Sequence, residues 1–140
     1  MPVLEQVLET SPDKVRIVFK NYPLLKSHKL AGKSALTAQA AHLRGKFWPV
    51  HDELFKVGEH LTEEKIQEIL RAQGLDPAQI ERDANSRPVV DHVQRDLDEA
   101  HRIGVSSVPA VFVNGKRQRD RSFEAIAAAV EKELRKKAGK

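Results

Sequence analysis

The chain has 140 residues, of which 40% are hydrophobic and 31% charged, so it is long enough and apolar enough to bury a core and is not disordered by composition. It contains no cysteine, which excludes disulfides, cysteine zinc sites and thiol chemistry by its own residues. Its formal net charge of +4 raises the question of nucleic-acid binding, which depends on where the basic residues lie.

Two runs, residues 116–121 and 135–140, carry much of the basic excess. Neither contains an aromatic residue that could stack on a base, so a solvated hairpin and a frayed helix end explain them better, and we expect no nucleic-acid partner. We also expect no membrane association, because no apolar run approaches the roughly 20 residues of a membrane helix. Met1–Glu5 lacks the basic start and apolar core of a signal peptide, so the compartment stays open and the chain as given is expected in the cytoplasm.

The first predicted elements are a helix and a strand. Apolar residues at i, i+1, i+4 and i+5 within residues 3–10 predict an amphipathic helix, which Pro12 ends. Residues 14–20 then alternate, and Val18 adds apolar weight to the second face. This pattern predicts a strand buried on both sides.

A block of helices is predicted next, from strong helix formers and from Gly and Pro punctuation. Thr62 is expected to cap one of these helices, and Asp76, followed by a proline, another. The predicted helices cover residues 28–42, 47–57, 63–73, a short stretch from 77, and 88–103.

The last third of the chain predicts a hairpin and a helix. Val111–Val113 is a short apolar strand, and Asn114-Gly115 is the strongest two-residue hairpin signal because both positions tolerate positive φ. Residues 116–121 are the expected return strand. Ser122 is expected to cap a final helix from residue 123 to about 137.

Four stretches, in their order and spacing, resemble the DsbA-like branch of the thioredoxin superfamily. They are residues 2–8 followed by 15–24, Gly45–Trp48 with His51–Phe55, Gly74–Asp76, and Val108–Gly115. The resemblance implies an α/β, thioredoxin-like fold of the DsbA type, as a single domain over 1–140 with a helical insertion over about 28–104. In that family a central strand and a Cys-x-x-Cys pair precede the first helix. The present sequence opens partway along that helix, so it lacks the family's first central strand and its redox pair.

The family consists of thiol–disulfide oxidoreductases, often periplasmic, in which a helix N-terminus depresses the pKa of a cysteine thiol. This chain has no cysteine, so we expect no exchange activity, no catalytic residue and no cofactor. Two interpretations stay open. The chain is a structural or interaction module, or it is a fragment of an oxidoreductase whose Cys-x-x-Cys lies upstream of Met1.

The resemblance leaves one candidate site, the loop Ser107-Val108-Pro109. In the relatives this loop turns at a cis-proline and offers backbone groups to an extended peptide. We therefore expect a cis Val108–Pro109 bond, with these three residues as the candidate peptide-binding site. The alternative is that Pro109 only starts a strand, where its missing N–H does least harm.

The histidines suggest two other sites, and we assign neither. His92, Asp96 and Glu99 have a spacing that could ligate a metal, but an exposed polar helix face explains them as well, so no metal is expected. His51 beside Asp52 could suggest acid–base chemistry, whereas a packing or capping role is the simpler interpretation.

The absent central strand predicts an assembly. In the thioredoxin arrangement it would lie between the counterparts of Val15–Lys20 and Ala110–Val113, and unpaired strand edges are templates for association. The two strands could instead close directly on each other, which would leave apolar surface poorly covered. We therefore expect a homodimer, joined through these strands or through the apolar face of residues 3–8.

Overall fold

The computed structural model describes residues 2–26 and 29–139 of the chain. Most of them are helical, and one short antiparallel hairpin supplies the strands. The helices are α1 (Pro2–Thr10), α2 (Ala31–His42), α3 (Phe47–Val57), α4 (Glu63–Ala72), α5 (Pro77–Ala84), α6 (Arg87–Arg102) and α7 (Phe123–Ala138). A 3₁₀ turn, Gly58–His60, follows α3, and the strands are β1 (Val111–Val113) and β2 (Lys116–Gln118).

Residues 20–104 form one compact unit, which is built from α2 to α6. Its helices begin where the sequence predicts caps: Thr62 Oγ1 accepts the backbone N–H of Lys65, and the Asp76 side chain accepts that of Ala78. Their apolar stripes meet in one core, because residues three and four apart share a helix face. The most deeply buried core side chains are Ala40, Ala41, Val50, Ile66, Ile80 and Val89.

Residues 1–19 and 105–140 form the second compact unit, in which α1 packs against α7 and the hairpin also contacts α7. Val7 of α1 and Ile126 of α7 are its most buried helical side chains. Ser122 caps α7, as predicted, by accepting the backbone N–H of Ala125. The hairpin turns at Asn114 (φ 46°) and Gly115 (φ 79°), the left-handed geometry that this residue pair tolerates.

The predicted strand over residues 14–20 does not form. Val15, Ile17 and Phe19 are half-buried in alternation with exposed neighbours, so the segment is extended, but it joins no ladder. Val18 is 60% exposed, which also contradicts burial on both faces. A period-two pattern predicts an extended backbone, whereas a strand also requires a partner. Within the described residues, the peptide groups of Arg16–Val18 have no hydrogen-bond partner.

Two other boundaries differ from the prediction. The return strand ends at Gln118 and not at Arg121, because Asp120 accepts the backbone N–H of Ser122 in the turn that precedes α7. α2 begins at Ala31, and the predicted start at His28 lies outside the described residues. In the part of the chain that the structure describes, no helix combines the length and apolar character needed to cross a bilayer. That residues 1–140 form a single domain stays a prediction.

Candidate functional site

The candidate loop Ser107-Val108-Pro109 precedes β1 and is exposed at all three residues. The Val108–Pro109 peptide bond is cis, and Val108 is 41% exposed. The Arg121 guanidinium donates a hydrogen bond from Nη1 to the Pro109 carbonyl oxygen over 2.6 Å. A charged donor makes this a strong hydrogen bond, and it ties the loop to the segment between β2 and α7.

The strand beside this loop has one open edge. Val113 and Lys116 close the two-residue turn, so they form a hydrogen-bonded pair, and the next pair, Phe112 with Arg117, does not exchange hydrogen bonds. The N–H and C=O of Phe112 therefore point away from β2. No third strand pairs with β1 among the described residues, so Phe112 presents a donor and an acceptor beside the loop.

A three-residue ionic cluster fixes the hairpin to α7. Glu133 Oε1 accepts Lys116 Nζ of β2 over 2.7 Å and Lys136 Nζ over 3.2 Å. The two ammonium groups lower the pKa of Glu133 from its ordinary value of 4.5 to about 2. The same contact raises the pKa of Lys116. This ion pair fixes β2 to α7, and β2 in turn holds β1, the strand that follows the candidate loop.

The candidate loop and the edge of β1 offer backbone hydrogen-bonding groups, but no thiol nucleophile accompanies them. The sequence contains no cysteine, so it supplies no thiolate. Among residues 2–26 and 29–139, no three His, Cys, Asp or Glu side chains converge as metal ligands. The arrangement can hydrogen-bond an extended chain at Phe112 and contact it at Val108.

Asp96, interpreted from sequence as part of an exposed polar face, is instead buried at 5% exposure. Its Oδ2 accepts the backbone N–H of Asn21 over 2.9 Å and the Asn21 side-chain amide over 2.8 Å. That amide also donates to Gln39 Oε1 over 3.3 Å. His92 Nε2 lies 3.6 Å from Asp96 Oδ2, and Lys20 Nζ lies 3.9 Å from Oδ1. The carboxylate ties residue 21 to α6.

Sequence reasoning missed this polar cluster because its partners are 75 residues apart. Asn21 directly follows the predicted strand over residues 14–20, and no local pattern links it to α6. A second long-range ion pair lies beside it, between Lys20 Nζ and Glu99 Oε2 at 3.1 Å. Such a pair has no local periodicity, so no helix or strand template detects it.

His51 has the packing role that the sequence favoured. Its ring stacks between Phe47 and Phe55, at centroid distances of 5.5 and 6.1 Å and interplanar angles of 20° and 17°. Its Nδ1 lies 3.0 Å from Asp52 Oδ1. The three rings sit four residues apart along α3, which places them on one helix face. The rings of Phe47, His51 and Phe55 therefore form a stacked row along α3.

The family follows from a comparison with known domains. The family model described as "DSBA-like thioredoxin domain" matches residues 14–131. The chain belongs to the DsbA-like thioredoxin domain family. Membership confirms the resemblance and, at the coarse level, the α/β thioredoxin-like fold class. This member contains no cysteine.

Curated relatives of this DsbA-like domain fall into two groups. "Probable disulfide bond formation protein D" of Bacillus anthracis is 29% identical over 130 residues, which cover 88% of this chain and 59% of that protein. The Bacillus cereus protein of the same name is also 29% identical and is covered to 60%. "Na(+)/H(+) antiporter NhaA 1" of Mycolicibacterium gilvum is 30% identical over 118 residues, 83% of this chain and 19% of the antiporter. The chain thus spans about three-fifths of the first group and a fifth of the second. No solved structure matches significantly.

Proposed function

We propose that this DsbA-like domain is an interaction module without redox activity, which binds an extended polypeptide along the open edge of β1. The observation that carries the proposal is the outward-facing peptide group of Phe112 beside the exposed loop residues Ser107–Pro109. An extended chain that pairs with a strand edge gains main-chain hydrogen bonds, and side-chain contacts add preference. No cysteine is needed for this binding.

Charge defines the preferred peptide. The hairpin and the turn that follows it carry Lys116, Arg117, Arg119 and Arg121, against Asp120 in the same stretch and Glu133 of α7, which pairs with Lys116. A basic border favours acidic side chains in an incoming strand, because opposite charges across strands stabilise the pair and like charges destabilise it. We therefore assign an acidic extended segment as the ligand class.

The finer fold assignment is part of the same proposal. The unit of residues 20–104 would correspond to the family's helical insertion, and the family's first central strand would be the element absent between Val15–Lys20 and β1. Support comes from the unbonded peptide groups of Arg16–Val18 and from the open edge at Phe112. Both are features that an intervening strand would occupy.

The experiment uses a fluorescent decapeptide of alternating valine and glutamate, with a valine–lysine decapeptide as its counterpart, read by fluorescence anisotropy. Phe112→Pro removes the outward N–H, whereas Phe112→Ala removes only the ring. Phe112→Ala is therefore the matched control, since it changes the same position of β1 and keeps the outward N–H. Proline is tolerated at strand edges, and circular dichroism checks folding of each variant.

We expect the acidic peptide to bind, Phe112→Pro to weaken its binding about tenfold or more, and Phe112→Ala to change the affinity less than about threefold. In the unmodified chain, amide exchange at Phe112 should slow when peptide is added, while exchange at Arg117 stays unchanged. Equal binding by Phe112→Pro, or slowed exchange only at Arg117, would overturn the assignment to β1. Absence of binding by both peptides would overturn the module itself.

The alternative function is that of a part of a protein-disulfide oxidoreductase whose Cys-x-x-Cys lies upstream of Met1. It is favoured by the similarity to the disulfide bond formation proteins, of which the chain covers about three-fifths. Reading the gene upstream tests it. An in-frame extension that encodes a strand and two cysteines three residues apart supports this function, and a stop codon in frame before any such stretch rejects it.

A further inference from the structure

The unit of residues 1–19 and 105–140 contains a groove between α1 and α7 that neither the loop nor β1 uses. It encloses about 410 Å³ and is mostly apolar. Its apolar lining comes from Val7, Phe123, Ala127, Val130 and Leu134. A mostly apolar groove of this kind marks a surface that a partner helix can cover.

Exposed residues of α7 line the groove at Glu124, Ala128 and Glu131, and the same helix face continues beyond the groove to Arg135. Glu124, Ala128, Glu131 and Arg135 are spaced three or four apart, so they lie on one helix face, and all four are exposed. None of the three charged side chains forms an ion pair within the described residues. Glu133, on another face of the same helix, forms two. This face of α7 therefore carries unpaired charges of both signs, with the acidic ones beside the groove and the basic one beyond it.

We propose that this groove is the interface of a homodimer, in which α7 of a second copy lies antiparallel across it. With the two-fold axis at the level of Ala129 and Val130, Glu124 faces Arg135 of the second copy, and the reverse pair forms by symmetry. Ala128 then faces Glu131 of the other helix. Alanine at the contact lets two helix axes approach to roughly 8 Å, the close end of the usual range.

Charge complementarity selects a second copy as the occupant. An acidic residue near the start of α7 and a basic residue near its end are self-complementary only when two such helices run antiparallel. A partner with one sign of charge would match one end of this helix face and repel the other. This interface includes neither β1 nor the loop Ser107–Pro109, so it is independent of the peptide-binding proposal. A single helix pair buries less than a standard interface, so a reversible dimer is expected.

The test is a charge exchange within one chain, measured by sedimentation equilibrium. Glu124→Arg and Arg135→Glu each create two repulsive pairs per dimer, and each should weaken dimerisation at least about tenfold. The double variant restores both pairs with reversed polarity and should return the dissociation constant to within about threefold of the original. Glu64→Arg is the matched control, since Glu64 is likewise an exposed first-turn residue without an ion pair, and it should leave the dimer unchanged.

The cysteine-free background adds a second readout. Ala128→Cys introduces the only thiol in the chain, close to its own counterpart across the proposed axis, and mild oxidation should give a disulfide-linked dimer within the distance that a disulfide requires. Glu64→Cys should not cross-link under the same conditions.

Three results would overturn the proposal. They are a 15.7 kDa mass at all concentrations up to the millimolar range, unchanged association in both single variants, and failure of the double variant to recover association. A partner other than a second copy would appear as the first of these.

Discussion

The backbone N–H and the side-chain amide of Asn21 both donate to Oδ2 of Asp96, over 2.9 and 2.8 Å. Asp96 stands on α6, and Asn21 directly follows the extended segment that the sequence had assigned to a strand. Both residues are buried, Asn21 at 2% and Asp96 at 5% exposure. One carboxylate therefore holds the entry of the chain into its helical unit.

Asp96→Ala should lower the free energy of unfolding by about 2–4 kcal/mol, because it leaves the buried N–H groups of Asn21 without an acceptor. The matched control is Asp91→Ala, on the same helix but exposed, for which a change within about 0.5 kcal/mol is expected. Urea unfolding followed by circular dichroism measures both. Equal stability of the two variants would show that Asp96 does not hold Asn21 in solution.

Arg121→Ala should loosen the candidate loop, since it removes the donor to the Pro109 carbonyl. Amide exchange at Ala110 and Val111 should become faster, and the affinity for the valine–glutamate peptide should fall several-fold, in keeping with the loss of one charge-assisted hydrogen bond. Arg119→Ala is the control, because Arg119 is also exposed and basic but does not bind that carbonyl. If both variants alter binding equally, the effect is one of net charge and not of loop position.

The Glu133 cluster predicts an acid-dependent loss of stability. A lowered folded-state pKa means that Glu133 contributes stability above its unfolded-state value of 4.5, and that the contribution disappears as pH falls towards about 2. Glu133→Gln should therefore destabilise the chain at pH 7 and have no effect near pH 2. Thermal unfolding at intervals between these pH values follows the change.

The control for this pH series is Glu9→Gln in α1, an exposed glutamate without an ion pair in the described chain. Its pH dependence of unfolding should match that of the unmodified protein. Parallel curves for Glu133→Gln and the unmodified protein across pH 2 to 4.5 would contradict the role of the two lysines.

Thiol–disulfide exchange offers the most direct functional test. The purified chain should neither reduce insulin disulfides nor oxidise a reduced substrate above the glutathione background, because it has no cysteine and a methionine thioether cannot exchange with a disulfide. A DsbA-like protein with its Cys-x-x-Cys serves as the positive control. Turnover above background would refute the prediction.

Local signals in the sequence predicted local structure well. Thr62, Asp76 and Ser122 cap the helices that they were expected to cap, because capping joins a side chain to a backbone group two or three residues away. The turn at Asn114-Gly115 follows from two residues that tolerate positive φ. These elements carry their explanation within a few residues.

Long-range structure was beyond the sequence patterns. The alternation over 14–20 predicted a strand because it reports which faces are buried, but not whether another strand lies alongside. Asp96 was assigned to an exposed face since helical spacing places it near His92, whereas its buried partner is 75 residues away. For the candidate site, family resemblance indicated the loop at Ser107–Pro109. The anchor at Arg121 and the outward edge of Phe112 required the structure.

The extended, unbonded segment at Arg16–Val18 also determines where the folded chain is open to cleavage. Proteases bind their substrates as extended strands and hydrogen-bond the peptide groups directly. Residues 16–18 are already extended, their peptide groups have no hydrogen-bond partner within the described residues, and Arg16 supplies a basic side chain. A brief tryptic digest read by mass spectrometry should cut here before it cuts within the helices. α1 would then be held by its packing on α7, so the turnover of the protein would depend on the few extended residues that follow the turn after α1.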